Sequence, residues 1–150
     1  MNDRHLPLSN RTTLVTTDTA CAVLGVGSEA ISSMVDDGTL VWVWDVSSRH
    51  QHIRELRFLA HELINPANAA KTYPEIISNI LPPSRERFRA SEVAMTLRVS
   101  DPHIVKLIKC RALSGKVINH TRWISRASMA IFLQNRLLNS RATSKPLSRN

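Results

Sequence analysis

The sequence predicts a mainly helical α+β chain built as two tandem copies of one small unit. Three observations carry this. A 24-residue segment recurs at a constant offset of 73. Each copy holds short amphipathic helices with cap and turn residues at matching places. A β-forming run follows each helix pair. Residues 17–40 (TDTACAVLGVGSEAISSMVDDGTL) overlie residues 90–113 (ASEVAMTLRVSDPHIVKLIKCRAL) without a gap. Four positions are identical: Leu24/Leu97, Val26/Val99, Ile31/Ile104 and Leu40/Leu113. Ala20/Val93, Cys21/Ala94, Met34/Leu107 and Val35/Ile108 are conservative pairs. Every identity falls where a core residue is needed.

In the first copy, Ala20, Cys21 and Leu24 share one face of a short helix, with Thr17 as its N-cap. Gly25 ends that helix in the left-handed conformation, and Val26 plugs the core from the turn. A second helix starts near Gly27 or Ser28 and buries Ile31, Met34 and Val35. Gly38 punctuates its end and Leu40 returns to the core. In the second copy a helix starts at Ala90 or Ser91 and buries Val93, Ala94 and Leu97. Ser100 caps the next helix, and Pro102 sits in its first turn, where a missing N–H costs nothing. Ile104, Leu107 and Ile108 face inward. After Leu40, VWVWDV reads as a strand, with Trp42 and Trp44 on one face as core or a dimer surface. A polar stretch and then a helix over IRELRFLAHEL follow, with Leu56, Leu59 and Leu63 aligned. After Leu113, SGKVINHTRWI reads as two strands around the turn Asn119-His120-Thr121, with Trp123 alternating into the core. A last helix, capped by Ser125, turns Met129, Phe132, Leu133 and Leu137 inward.

Helix, short turn, helix, hairpin and closing helix is a winged helix-turn-helix arrangement. The pattern T-x-x-x-A-A-x-x-L-G-V-S-x-x-T-V-x-x-x-I-x-x-G-x-L resembles that of excisionase-like and MerR-like winged helices. The first copy matches at Thr17, Ala20, Leu24, Gly25, Val26, Ile31, Val35, Gly38 and Leu40. The second matches at Val93, Ala94, Leu97, Val99, Ser100, Ile104, Ile108 and Leu113, and departs where Arg98 and Arg111 replace glycines. The resemblance covers residues 14–64 and 87–138. It implies duplex DNA binding, as a transcription regulator or a recombination directionality factor of a bacterial or mobile genetic element.

Charge divides the copies. Residues 1–65 hold five cations and eight anions, a net of −3, and residues 66–150 hold fifteen against four, a net of +11. A polyanionic partner is therefore expected on the second half. On its second helix, Lys106 and Lys109 point outward beside Pro102, flanked by Ser100, His103 and Cys110, free to meet phosphates or guanine edges. Lys116, His120 and Arg122 gather at the hairpin tip. The equivalent helix of the first copy carries Glu29, Ser33 and Asp36. Its candidate contacts are Ser28, Ser32 and Ser33, with Arg49, His50, His52 and Arg54 in the loop. The competing reading is an adaptor or antiactivator that kept the fold while the first copy became a protein-contact module.

The remaining segments are an N-terminal arm (1–13), a linker with a short helix from Pro74 to Leu81 and a stiff Pro82-Pro83 (65–86), and a basic tail (139–150) expected to be disordered. The 150 residues carry a formal charge of +8 and are 43% apolar, enough for a core. No apolar run has membrane-helix length, and MNDRHLPLSN lacks a signal-peptide core. Cys21 and Cys110 read as buried thiols, which with the rest suggests a cytoplasmic, nucleoid-associated protein. Enzyme readings fail: His61-Glu62 begins an HExxH motif, but Asn65 stands at its last position. No metal or small cofactor is expected. The expected partners are double-stranded DNA, a second copy of the chain, and a recombinase or transcription-machinery protein.

Overall fold

In the computed structural model, which describes residues 13–48 and 54–138, each repeat begins one strand earlier than the sequence pattern suggests. The first unit runs β1 (Leu14–Thr16), α1 (Thr17–Leu24), α2 (Ser28–Asp36), β2 (Val43–Asp45), β3 (Leu56–Leu59) and α3 (Ala60–Ile64). A 3-10 helix (Pro66–Ala70) and α4 (Tyr73–Ile80) follow. The second unit runs β4 (Arg87–Arg89), α5 (Ala90–Leu97), α6 (Asp101–Lys109), β5 (Gly115–Ile118), β6 (Thr121–Ser125) and α7 (Arg126–Arg136). Both units thus share the order β-α-α-β-β-α. Their three-stranded antiparallel sheets share a topology too, β1-β3-β2 and β4-β6-β5. The chain is a mixed α+β structure.

The helix pairs turn as the sequence implies. Gly25 closes α1 at φ 69°, and Arg98, 73 residues on, closes α5 at φ 59°. Gly38 and Arg111 are a second left-handed pair, at φ 83° and 68°. Glycine adopts this geometry freely, whereas each arginine holds it at a cost of about 1 kcal/mol. Ser100 caps α6, its Oγ accepting from the His103 N–H at 3.2 Å. Ser125 caps α7 in the same way, accepting from Ser128 N–H at 3.0 Å. Thr16, not Thr17, caps α1. Thr17 is the first helical residue, because β1 runs directly into the helix.

The helix expected over IRELRFLAHEL is the largest correction. Its front half is strand β3, and only Ala60–Ile64 is helical. Leu56, Leu59 and Leu63 mimic helical spacing, but Leu56–Leu59 lies between β1 and β2 and is buried on both faces. A strand covered on both sides shows no alternation to separate it from a helix. Strand β1, three residues long, has no sequence signal of its own, and β4, equally short, has only the alternation of Arg87-Phe88-Arg89.

The inner face of the first sheet, with Val15, Val43 and Phe58, packs on Ala20, Ile31, Val35, Leu40 and Leu63. Its outer face carries Leu14, Trp44 and Leu59, with Trp42 beside them. These residues join a core made with Ile76, Ile77, Ile80 and Leu81 and with the interior of the second unit: Phe88, Leu97, Ile104, Leu107, Phe132 and Leu133. Trp42 and Trp44 are therefore core residues. The segment between the repeats contributes α4 to this shared core, so the units are fused through buried apolar surface. Cys21 and Cys110 are free and only half-buried, unlike the buried thiols expected.

Polar bonds fix the seam. Arg57 on β3 is 7% exposed. Its Nε donates to Leu97 O at 2.7 Å and its Nη2 to Arg98 O at 2.8 Å, satisfying carbonyls at the end of α5. Arg98 Nε donates back to Leu14 O at 3.2 Å. Burial pulls the Arg57 guanidinium below its ordinary value, Glu55 at 3.7 Å opposes this, and Arg98 adds to it. Glu62, also buried, accepts from Val41 and Trp42 N–H at 2.7 and 2.9 Å, tying α3 to the start of β2. After α7, Leu137 bridges Trp44 and Leu138 N–H donates to Val43 O, extending the first sheet beyond β2.

Candidate nucleic-acid interface

Helix α6 is built as its periodicity demands. Ile104 and Leu107 are buried, while Pro102, Lys106 and Lys109 are exposed. Arg111, also exposed, follows at the left-handed position just past the helix end, where a cation offsets the negative end of the dipole. Lys106, Lys109 and Arg111 form no ion pair with another described residue, so their charge is available to a partner. Gly115 lets β5 lie against this helix: a Cβ there would stand 2.8 Å from Ile108 Cδ1 and 3.5 Å from Arg122 Cγ. Arg122 is thereby held on the α6 side of the hairpin. The hairpin turns on Asn119 and His120, both at positive φ (51° and 66°), the geometry of a tight two-residue turn. His120 is exposed at the tip.

Other candidates fall elsewhere. His103 sits on α6 but faces the seam. Its Nε2 lies 2.7 Å from Val46 O, and a carbonyl only accepts, so this nitrogen carries the proton. Nδ1 faces Glu55 Oε1 at 3.6 Å, and the side chain is 11% exposed. The imidazole is thus used in joining the units. Lys116 and Arg122 are not brought together: Lys116 pairs with Trp123 across the strands, and Arg122 with Val117, so they point to opposite faces. Trp123 does not alternate into the core; Ile124 does. Trp123 is half-buried on the outer sheet face, with the Arg87 guanidinium 4.4 Å from its ring centroid. Ser100 is exposed, its hydroxyl used as the α6 cap.

In the first unit Ser28, Ser32 and Ser33 are exposed along α2, among exposed Glu29, Asp36 and Asp37. Bonds from the Thr39 hydroxyl and N–H hold the Asp37 carboxyl below its usual range, so that face stays anionic. Arg54 is exposed, whereas Arg49, His50 and His52 lie outside the described residues. Sequence reasoning missed Arg87, Arg89 and Arg111. A cation alternation in R-F-R signals the first two; only the offset of 73 to Gly38 marks the third.

Among the described residues no group of His, Cys, Asp and Glu is placed to hold a metal ion. None of their helices is long and apolar enough to cross a membrane. No family model, curated protein or solved structure matches the chain.

Proposed function

We propose that the chain is a sequence-specific duplex DNA-binding protein of two tandem winged helix-turn-helix units, with the second unit as the DNA reader. The observation that carries this is the exposed face of α6: Lys106, Lys109 and Arg111 follow one another there with no ion-pair partner among the described residues, and Arg122 of the adjoining hairpin is on the same side. A helix presented by a capped three-residue turn is the form that enters a major groove, and its cations meet phosphates and guanine edges. Transcription control and direction of site-specific recombination both employ such contacts. The first unit, with Glu29, Asp36 and Asp37 exposed along α2, favours a protein-contact role within the same molecule.

The test is a footprint over the protein's own genetic neighbourhood, followed by binding titrations at several salt concentrations. Lys106→Ala or Lys109→Ala should cost about 1–3 kcal/mol where a base contact is lost, and flatten the log–log salt slope by about one where a phosphate contact is lost. Glu29→Ala and Asp36→Ala should leave specific affinity nearly unchanged. Intact binding in both lysine variants, or affinity independent of salt, overturns the proposal.

A further inference from the structure

The outer face of the β4-β6-β5 sheet is a second cationic surface, on the side away from α6. Strand register places Trp123 at its centre, with Lys116 on one flank and Arg89 on the other. Arg87, next along that face, lays its guanidinium over the indole. Arg87, Arg89 and Lys116 are exposed. The surface includes a depression of about 380 Å³ lined by Trp123, Arg87 and Lys116 together with Gly115 and Ser125. The Arg89 guanidinium stands 3.8 Å from Glu92, whose carboxylate is bonded more closely by Arg85 at 2.9 Å and by the Arg89 N–H at 2.8 Å. Arg87 and Lys116 have no ion-pair partner among the described residues.

The equivalent face of the first sheet explains why this one is unusual. Leu14 stands where Arg87 does, Trp44 where Lys116 does, and Arg57 where Trp123 does. Apart from Thr16 and the buried Arg57, whose guanidinium is bonded to carbonyls of the second unit, that face is apolar, and it is covered by the second unit. The second sheet has the same flat platform, uncovered by the described chain, with cations replacing the apolar residues. A half-exposed indole under a guanidinium provides a stacking surface, and the flanking cations sit where a backbone passing over it would carry its phosphates. A duplex keeps its base faces stacked within the helix, so a flat aromatic platform cannot reach them; an unpaired strand offers them.

We infer that this sheet face binds single-stranded nucleic acid, with a base stacked on Trp123 and Arg87 and phosphates held by Lys116 and Arg89. The inference does not rest on duplex reading by α6. Trp42 and Trp44 are buried, so Trp123 is the tryptophan that a bound base would quench. The full-length protein is titrated with oligothymidylate of about eight nucleotides, a length within the range one such module covers. Quenching should saturate. Trp123→Leu should weaken binding, followed by anisotropy of labelled oligonucleotide, by about tenfold or more, and Trp123→Phe should retain most of it. Lys116→Ala with Arg89→Ala should weaken it and reduce its salt slope, while Lys106→Ala with Lys109→Ala should leave it intact. Inorganic polyphosphate and polyglutamate should compete poorly, since they carry charge without bases. Equal competition by polyphosphate would reduce the face to a general anion surface, and equal competition by polyglutamate would make it a site for acidic protein; either overturns the inference. So would a Trp123→Leu variant that folds and binds as before. Duplex binding that fails while oligothymidylate still quenches Trp123 refutes only the reading of α6.

Discussion

Trp44 and Trp123 each lie opposite a cation across one strand pair, Trp44 facing Arg57 and Trp123 facing Lys116. Trp44 is fully buried and its arginine is spent on carbonyls of the second unit. Trp123 is half-exposed and its lysine projects to solvent. The two sheets share strand order and antiparallel pairing, so topology does not account for the contrast. It comes from a few outward positions, Leu14 against Arg87 and Leu59 against Ser125 among them. An apolar outer face is covered by the partner unit; a basic one would pay desolvation for each charge buried there. One fold thus serves as a joint in the first copy and as an open surface in the second.

Breaking the joint should give the largest effect. Trp44→Ala and Leu97→Ala each open a cavity in the shared core and should cost about 3–5 and 2–5 kcal/mol respectively. Because that core joins the units, calorimetry should show one unfolding transition that moves with either change; two transitions, each moved by one variant, would mean the units fold separately. Trp123→Ala, on the open outer face of the second sheet, should cost a fraction of the Trp44→Ala loss in the same measurement.

Arg57→Ala comes next. It leaves the carbonyls of Leu97 and Arg98 without their buried donor, and should cost about 3 kcal/mol in urea unfolding. Arg57→Lys should recover little, because one ammonium cannot reproduce the forked bonds.

A smaller effect sharpens the contrast on the basic side. The Glu92 carboxyl is held down to about 2, first by its bonds from Arg85 and then by the Arg89 N–H, against an ordinary value of 4.5. The folded state therefore binds this proton less readily than the unfolded chain. The stabilisation is complete above the ordinary value and is lost as pH falls through it toward 2. Glu92→Gln should lower stability near neutrality and reduce the loss seen on acidification to about pH 3, measured as urea midpoints. Arg85→Ala should move the Glu92 titration, followed by NMR, back upward.

The smallest change concerns the left-handed turns. Arg111→Gly should stabilise the fold by no more than about 1 kcal/mol, since relief of the strained φ is partly offset by added freedom in the unfolded chain. Its counterpart Gly38→Arg should destabilise by a similar amount in the same denaturation assay.

The repeat, and most of what lies inside each unit, is legible in the residues alone. Helices α1, α2, α5, α6 and α7 follow from local spacing, caps and turn residues, and so does the β5–β6 hairpin, because these signals act within a few residues of one another. The exposure of Lys106 and Lys109 follows from the same periodicity. Long-range packing settled the rest. It turned half of an expected helix into β3, because partners on both sides satisfy that backbone and bury both its faces. It drew His103 into the seam and separated Lys116 from Arg122 by strand alternation. It fused the units through Trp42, Trp44 and α4, and left Trp123 outside. These outcomes depend on which face meets which, and residues as far apart as Leu14 and Arg98 settle that only when they touch.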